Sequence, residues 1–386
     1  MKKRSLLMVP GPIEFEAEVL AALGASTTSH LAPEFIEAFG QALERLRQVL
    51  LSEDGQPFIL AGTGTLAMDT VGANLVEPGD RALVVNHGYF GDRYASILER
   101  YGAQVIQVGA AVGGRPSVDE VEAALKKGRY KLMTITHVDT STGVIADVKS
   151  LAAAGKRQGA LVVVDGVCSV AGEELQMSTW GVDVALTASQ KAVGVPPGLA
   201  LAVVGPQAMA VFKSRRTPVR NYYADWDNWL PVMEAYEGRK PSYFATPAVN
   251  LIFALNVSLG RILDEGIAPR VERHRAISRA CKAGIRALGL GQVPLKDEFA
   301  ANTMTAPRYP ASVKAADFLA AATQAGVTLA GGLHPAIRSE YFRIGHMGAV
   351  SLGDILTTLS AVEQALAAAG VKVEPGISLA AAQENF

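Results

Sequence analysis

The stretch "ALTASQKAVGVPPG", residues 185–198, places a single lysine directly after an apolar strand pattern and just before a segment whose prolines prevent a helix. Lysine is seldom buried, because removing its ammonium group from water is costly unless a partner or a shifted pKa compensates. The residues before it predict a buried strand. We therefore expect Lys191 to emerge beside the protein core, the ordinary alternative being a solvated lysine at the start of a loop.

Apolar runs rich in valine, isoleucine and leucine alternate with helical patterns from about residue 57 to residue 205. This alternation predicts an α/β fold in which helices cover both faces of a parallel sheet. The predicted strands are residues 58–60, 82–86, 131–136, 161–165, 184–188 and 199–203. Open sheets of this kind bind ligands beyond the carboxyl ends of their strands, so we expect the functional site at that edge.

The pattern changes after Pro247, where a long helical segment runs to a break near Gly266 and a second helical segment follows. The rest of the chain mixes short strands with helices. Because 386 residues exceed what one hydrophobic core usually supports, two domains are expected. We predict an N-terminal arm at residues 1–15, a large domain at 16–265 and a smaller α+β domain at 266–386.

Composition narrows the class of ligand. The chain has 36 basic and 37 acidic residues, a balance that gives no electrostatic reason to expect nucleic acid or an anionic membrane as a partner. We expect small-molecule substrates instead. The two cysteines, Cys168 and Cys281, lie far apart in the sequence, which argues against a disulfide framework or a structural zinc site and fits a reducing compartment.

The ends of the chain bear on localisation. The apolar run after Met1-Lys2-Lys3-Arg4 stops at residues 10–12, Pro-Gly-Pro, and is too short for a signal peptide. We expect a cytoplasmic protein, with a mitochondrial location as the alternative. The C-terminal residues, 384–386, read Glu-Asn-Phe and differ from the peroxisomal signal Ser-Lys-Leu.

A glycine-rich turn follows the first predicted strand and precedes a helix. Its residues, Gly62, Thr63, Gly64 and Thr65, offer backbone amides and hydroxyl groups with little steric bulk, which suits a phosphate group. The alternative is a tight turn with an N-capping threonine. A dinucleotide site is disfavoured because it requires an acidic residue at the end of the next strand, which ends at Asn86.

Asp165 ends a fully apolar strand, so its carboxylate needs a partner. A helix N-terminus or an arginine would serve, and so would a cationic ring nitrogen. Asp165, Lys191 and the glycine-rich turn are expected at one edge of the sheet. Pyridoxal phosphate would use all three groups. Its aldehyde bonds to a lysine amine, its pyridine nitrogen pairs with a carboxylate and its phosphate binds amides and hydroxyls. Phe90 could cover the ring, although an ordinary core position is the alternative.

Motifs over nearly the whole chain resemble class V, fold-type I aminotransferases, in particular the alanine:glyoxylate and serine:pyruvate aminotransferases and most of all their fungal type. The resemblance implies a fold-type I pyridoxal-phosphate transferase fold, with a mainly parallel seven-stranded sheet and a smaller C-terminal domain. The motifs are "LLMVPGPIEF", "TSHLAPEF", "GTGT", "HGYFGDRYA", "THVDTSTGV", "VVDGVCSV", "ALTASQKAVGVPPG", "YFATPAVN" and "GGLHPAIRSEYFRIGHMG".

The resemblance also implies roles for individual residues. Lys191 would bond to the cofactor aldehyde, Asp165 would pair with the pyridine nitrogen, and Phe90 would stack on the ring where the family often has tryptophan. Arg343 would grip the substrate carboxylate, its alternative being a surface ion pair. The remaining cofactor contacts would be Thr63, Gly64, Thr65, Gln190, Thr140 at a position where the family often has serine, and Tyr243 and Thr246 from the neighbouring subunit of a homodimer.

The activity implied by the resemblance is transamination from alanine to glyoxylate, which gives pyruvate and glycine. Serine:pyruvate or another small-amino-acid transamination is the nearest alternative. A lyase of the cysteine desulfurase kind would need a thiolate on a mobile C-terminal loop, and neither Cys168 nor Cys281 fits that position. A non-catalytic α/β protein that uses only the phosphate-binding turn is the alternative from another class.

Overall fold

The computed structural model describes residues 5–386. The strands are β1 (Leu6–Leu7), β2 (Gln56–Ala61), β3 (Arg81–Asn86), β4 (Gln104–Gly109), β5 (Leu132–Thr136), β6 (Val138–Asp139), β7 (Val144–Ile145), β8 (Leu161–Asp165), β9 (Val184–Ala188), β10 (Leu199–Val204), β11 (Met304–Thr305), β12 (Val327–Thr328), β13 (Ala330–Gly331) and β14 (Phe342–Gly345).

The helices are α1 (Ala17–Leu23), α2 (Pro33–Val49), α3 (Gly64–Leu75), α4 (Tyr89–Arg100), α5 (Val118–Leu125), α6 (Val148–Arg157), α7 (Met177–Trp180), α8 (Pro206–Lys213), α9 (Trp226–Glu237), α10 (Val249–Glu265), α11 (Ile267–Ala287), α12 (Ala315–Gln324), α13 (Leu352–Ala368) and α14 (Ile377–Glu384). A short 3-10 helix spans Asp297–Phe299. None of the helices within residues 5–386 has the length and apolarity to cross a membrane.

A seven-stranded sheet in the order β2-β10-β9-β8-β5-β3-β4 forms the centre of the molecule. Strands β4, β3, β5, β8 and β9 pair in parallel, whereas β10 pairs antiparallel with both β9 and β2. Each residue of β5, β8, β9 and β10 is buried, as a sheet covered on both faces requires. The predicted fold, a mainly parallel sheet of seven strands flanked by helices, is confirmed.

The six strands predicted from apolar runs all exist, and their bounds differ from the prediction by at most two residues. The pattern missed β4, because this strand lies at the edge of the sheet and two glutamines interrupt its apolar residues. Its side chains are exposed or only partly buried. An edge strand of this kind lacks the continuous apolar run by which the central strands are recognised.

A second hydrophobic cluster lies among residues of α11, α12, α13 and the C-terminal strands. Met8 belongs to this cluster, because β1 pairs with β12 and carries the N-terminal segment onto it. The helical break at Gly266 has φ +84°, a backbone conformation that favours glycine. The domain bounds 1–15, 16–265 and 266–386 stay a prediction, and residues 1–4 of the arm lie outside the described part of the chain.

Candidate active site

A cavity of about 210 Å³ opens beyond the carboxyl ends of the central strands. Open α/β sheets bind their ligands at this edge, so the cavity lies at the expected position. Its walls come from the loops after β2, β3, β5, β8 and β9. The lining residues are Thr63, Gly64, Thr65, Met68, Phe90, Arg93, Val138, Thr140, Asp165, Val167, Cys168, Gln190 and Lys191.

The glycine-rich turn forms the N-terminus of α3 at this cavity. Thr63 is the N-cap residue, but its side chain makes no capping hydrogen bond. The alternative of a turn capped by a threonine side chain therefore does not hold. The first amides of a helix have no intrahelical acceptor and can therefore bind an anion. A side chain at Gly64 would lie within 2.8 Å of Val167, so a glycine is required for the close approach of the two loops.

Asp165 ends β8 with its carboxyl group buried in the cavity wall, where the residue is only 3% exposed. The amide of Val167 donates a hydrogen bond of 3.0 Å to Oδ1. Burial raises the pKa of this carboxyl group to about 6, an effect that the Val167 amide and the nearby charges of Lys191 and Arg93 partly oppose. No arginine or lysine of residues 5–386 forms an ion pair with Asp165. An arginine is therefore not the partner of this carboxylate.

Lys191 follows the end of β9 and is 9% exposed. Its Nζ donates a hydrogen bond to the carbonyl oxygen of Pro10 in the N-terminal segment. Burial lowers the pKa of the amine, and the charge of Arg343 lowers it further. The expectation that this lysine emerges beside the core is therefore met, and the solvated alternative does not hold. A Cβ atom at the neighbouring Gly11 would come within 2.7 Å of Lys191 Cδ.

Phe90 lies in the first turn of α4, where Asp139 fixes the backbone. Oδ2 of Asp139 accepts a 2.9 Å hydrogen bond from the Phe90 amide, and Oδ1 accepts bonds from the amide and hydroxyl of Ser141. A Cβ atom at Gly88 would lie 2.4 Å from Cγ of Asp139, so only glycine fits there. These contacts hold the Phe90 ring at the cavity, outside the buried hydrophobic core where the alternative put it.

Gln190 and Thr140 also line the cavity. The side-chain oxygen of Gln190 is buried and has no hydrogen-bond partner within residues 5–386, which indicates that this amide serves a ligand. The carbonyl oxygen of Thr140 accepts a 3.2 Å bond from Nη1 of Arg343, which brings the predicted carboxylate-binding residue to the edge of the cavity.

Arg343 lies on β14 and makes no ion pair within the described chain, so the surface ion pair considered from the sequence does not form. Its Nε donates to the carbonyl of Gly331 at 2.8 Å, and Nη1 donates to Thr140. Neither bond uses Nη2. Burial lowers the pKa of the guanidinium group from its usual high value. A partly buried, unpaired guanidinium with a free edge suits a carboxylate ligand.

Two predicted site residues do not reach this cavity. Tyr243 is 62% exposed and Thr246 is also exposed, in the segment that precedes α10. The ring of Tyr243 contacts His30, with 5.3 Å between ring centroids. Within one chain these two side chains are therefore outside the site.

Sequence reasoning missed Arg93, Cys168 and Asp139. Arg93 shares a face of α4 with Phe90 three residues earlier, and this helical spacing was the signal that could have found it. Cys168 lines the cavity, but burial raises the pKa of its thiol and keeps it neutral, and Cys281 is buried in α11. Cys168 lies in the buried turn after β8 and Cys281 within a helix, so neither thiol is on a C-terminal loop, which agrees with the argument against a desulfurase.

The donor set of the cavity fits pyridoxal phosphate. It combines a helix N-terminus carrying the hydroxyls of Thr63 and Thr65, an unpaired buried amide oxygen, a buried carboxyl group and a buried amine. Each of these groups has a matching part of the cofactor: the phosphate, the ring substituents, the ring nitrogen and the aldehyde.

Comparison with known proteins gives consistent results. The aminotransferase class-V family matches residues 14–363. The chain is 39% identical over 362 residues to alanine–glyoxylate aminotransferase 1 of Saccharomyces cerevisiae, an alignment that covers 90% of this chain and 93% of the yeast protein. It is 31% identical over 391 residues to L-aspartate–glyoxylate aminotransferase of Paracoccus denitrificans, covering 100% of this chain and 97% of that protein.

A solved structure supports the same assignment. The crystal structure of ureidoglycine–glyoxylate aminotransferase from Bacillus subtilis matches with a TM-score of 0.93 and 27% identity, covering 100% of this chain and 98% of that one. The resemblance inferred from the sequence motifs is confirmed. The family match, the yeast relative and the shared fold together show that this chain belongs to the class-V aminotransferase family.

Proposed function

We propose that this aminotransferase uses pyridoxal phosphate to transfer an amino group from alanine to glyoxylate, giving pyruvate and glycine. The observation that carries the cofactor is the convergence of Lys191, Asp165 and the N-terminus of α3 on one cavity. Class-V membership implies the same cofactor. The alanine and glyoxylate pairing is supported by the yeast relative, whose name specifies these two substrates.

The chain's own residues divide the task of holding the cofactor. The turn of Thr63, Gly64 and Thr65 would receive the phosphate, and Phe90 would cover the ring. Thr140 and Gln190 would bond to polar groups at the cofactor's edge, while Asp165 would hold the proton on the ring nitrogen. When bound, pyridoxal phosphate supplies an electron sink that lets an amino acid lose its Cα proton.

Lys191 is the proposed general base and acid. Burial lowers the pKa of its amine, so a larger fraction is neutral near pH 7 than for a lysine in water. With cofactor and substrate bound, Nζ of Lys191 would accept the proton lost from the substrate Cα and would later act as the acid that returns it. The Pro10 carbonyl, which accepts a bond from Nζ, would orient the amine.

Arg343 is the proposed carboxylate-binding residue for both substrates. Alanine and glyoxylate share a single carboxylate and a small remainder, so one guanidinium can orient each of them in turn. The carbonyls of Gly331 and Thr140 hold two of its nitrogens and leave Nη2 for the substrate. The hydrogen bond from Arg343 to Thr140, which lines the cavity, supports this role.

Arg343→Ala should raise KM for alanine and for glyoxylate by roughly 10- to 100-fold, because a charged hydrogen-bonded partner of the carboxylate is lost. The visible spectrum of the bound cofactor should not change. Steady-state kinetics of pyruvate formation from alanine and glyoxylate measure both constants. Arg343→Lys is the matched control, since it keeps the charge but loses the planar fork, and we expect an intermediate KM.

Unchanged KM values in Arg343→Ala would move the carboxylate site elsewhere in the cavity. A wild-type enzyme that forms no pyruvate from alanine and glyoxylate, yet transaminates other amino acids, would overturn the proposed substrate pair and leave the cofactor assignment intact.

The raised pKa of Asp165 predicts how the stability of the cofactor-free protein depends on pH. Between about pH 4 and pH 6 the folded chain holds a proton on this carboxyl group that the unfolded chain has lost. Stability therefore falls as pH rises through this window, by up to about 3 kcal/mol for a shift of about two pKa units. Asp165→Asn keeps the acceptor for the Val167 amide but cannot ionise.

We expect the free energy of unfolding of cofactor-free Asp165→Asn, relative to that of the wild type, to increase from pH 4 to pH 7. Urea unfolding at several pH values measures this difference. A difference that is constant across the window would contradict the idea of a buried carboxyl group that ionises at a cost.

We also propose that the active site is completed by a second copy of the chain. Tyr243 and Thr246 face solvent in one chain, and two exposed aromatic side chains, Tyr222 at 79% and Tyr243 at 62%, lie in this region. The Tyr222 ring packs on Phe244, with 5.5 Å between centroids, which links the two segments. Exposed aromatic surface of this kind favours an interface, and a two-fold dimer would present Tyr243 and Thr246 to the partner's cavity.

Subunit exchange tests the shared site. Two inactive variants, Lys191→Ala and the double variant Tyr243→Ala, Thr246→Ala, are mixed in equal amounts. In a mixed dimer, one site contains the substitutions of both variants and the other site contains only wild-type residues. Half of the dimers are mixed after random exchange, so about one quarter of wild-type activity should return.

The control mixes Lys191→Ala with Asp165→Ala. These two residues belong to the same chain's half of the site, so every site keeps a lesion and activity should stay absent. If the first mixture also stays inactive after exchange has been verified by mass spectrometry of tagged subunits, the shared site is wrong.

A further inference from the structure

Arg93 is the one cavity-lining residue, besides Lys191, with a cationic side chain within residues 5–386. It extends from α4, and no carboxylate of the described chain forms an ion pair with its guanidinium group. Its charge nevertheless acts on the site, because it is one of the influences that lower the pKa of Asp165. An unpaired cation in the wall of a ligand cavity favours an anionic ligand.

Contacts on three sides hold this guanidinium in place. Nη1 donates a 2.8 Å hydrogen bond to Oγ1 of Thr65, and Nη2 donates a 3.3 Å bond to the hydroxyl of Tyr89. Its Cζ lies 5.1 Å from the centroid of the Tyr89 ring and 5.0 Å from that of Phe90. The two rings precede Arg93 by four and three residues on α4, so the helix itself aligns them.

The bond to Thr65 decides the orientation of that hydroxyl group. A guanidinium group can only donate hydrogen bonds, so Oγ1 of Thr65 must accept this one. The hydroxyl proton of Thr65 is then free to be donated to another acceptor. Thr65 belongs to the first turn of α3, so that donor adds to the backbone amides at the helix N-terminus.

We propose that Arg93 binds the phosphate end of the cofactor electrostatically and orients the Thr65 hydroxyl toward it. This inference rests on the proposed use of pyridoxal phosphate. A phosphate monoester carries a charge of about −1.5 to −2 near pH 7, whereas a helix N-terminus offers only about half of a positive charge. Lys191 is assigned to the aldehyde end, so Arg93 supplies the charge that the turn lacks.

The guanidinium group could instead act on another part of the site. It also contacts Phe90, so its loss could weaken the cofactor's ring contact without involving the phosphate. A carboxylate on the substrate would match the same fork of donors. Pyridoxal has the ring and the aldehyde but lacks the phosphate, so comparing the two ligands separates these roles.

The test titrates cofactor-free protein with pyridoxal phosphate and with pyridoxal, monitored by absorbance. Arg93→Gln should weaken the affinity for pyridoxal phosphate roughly 10- to 100-fold, because the phosphate loses a charged partner. The affinity for pyridoxal, which has no phosphate, should stay within about twofold of that of the wild type. Arg93→Lys should retain most of the affinity. Arg81→Gln is the matched control. The Arg81 guanidinium also lies over a ring, 4.6 Å from the centroid of Tyr130, but Arg81 is the first residue of β3, at the strand end away from the cavity.

A second readout is the phosphorus NMR signal of the bound cofactor. Arg93 should favour the dianionic phosphate, so the titration midpoint should rise in Arg93→Gln and stay unchanged in Arg81→Gln. Thermal unfolding of each cofactor-free variant checks that the fold is retained.

Equal weakening of both ligands in Arg93→Gln would overturn the inference and assign Arg93 to the ring through Phe90. Unchanged affinity for pyridoxal phosphate with a raised substrate KM would overturn it in favour of a substrate carboxylate. Either result would leave the proposed function standing, because the wild type would still bind the cofactor. A folded wild type that binds neither ligand would overturn the proposed function and this inference with it.

Discussion

Strands β8 and β9 pair in parallel with Asp165 opposite Leu186, and this register determines where a carboxyl group and an amine emerge from the same sheet edge. Both groups are buried, so each ionised form has lost much of its hydration. Burial raises the pKa of Asp165 and lowers that of Lys191, which means that both are driven toward their neutral forms. A ligand with a basic ring nitrogen and an aldehyde would relieve both costs, and the other contacts of the site would orient that ligand.

Close backbone approaches around these two groups leave little room for variation. Gly11 lies against the Lys191 side chain with φ +110°, a conformation and a spacing that only glycine satisfies. Gly88 lies against the carboxylate of Asp139, which in turn fixes the start of α4. The N-terminal segment thus connects β1, paired with β12, to Lys191. Packing of the C-terminal strands and the position of the Lys191 amine are therefore coupled through one short stretch of chain.

Much of this arrangement could be predicted from the sequence because it depends on buried strands and on the polar residues at their carboxyl ends. Asp165 and Lys191 come at or just after the ends of apolar runs, and the strand ends of a parallel sheet meet at one edge. The roles proposed for Arg343, Tyr243 and Thr246 came from the family resemblance, since no local pattern relates these residues to the cavity. Arg93 was missed because a partly exposed arginine on an amphipathic helix is ordinary in a sequence. Its spacing from Phe90 on α4 is the one local hint, and its tertiary hydrogen bond to Thr65 on α3 distinguishes it from other surface arginines.

The proposed function requires Lys191 to bond covalently to pyridoxal phosphate at this cavity. The most direct measurement adds the cofactor to cofactor-free protein, records the visible spectrum, reduces the complex with borohydride and maps the modified peptide by mass spectrometry. We expect a visible absorption band that borohydride abolishes, with the cofactor fixed on Lys191 and no band in Lys191→Ala. A protein that stays colourless, or one whose modified residue is a different lysine, would show that Lys191 does not hold the cofactor.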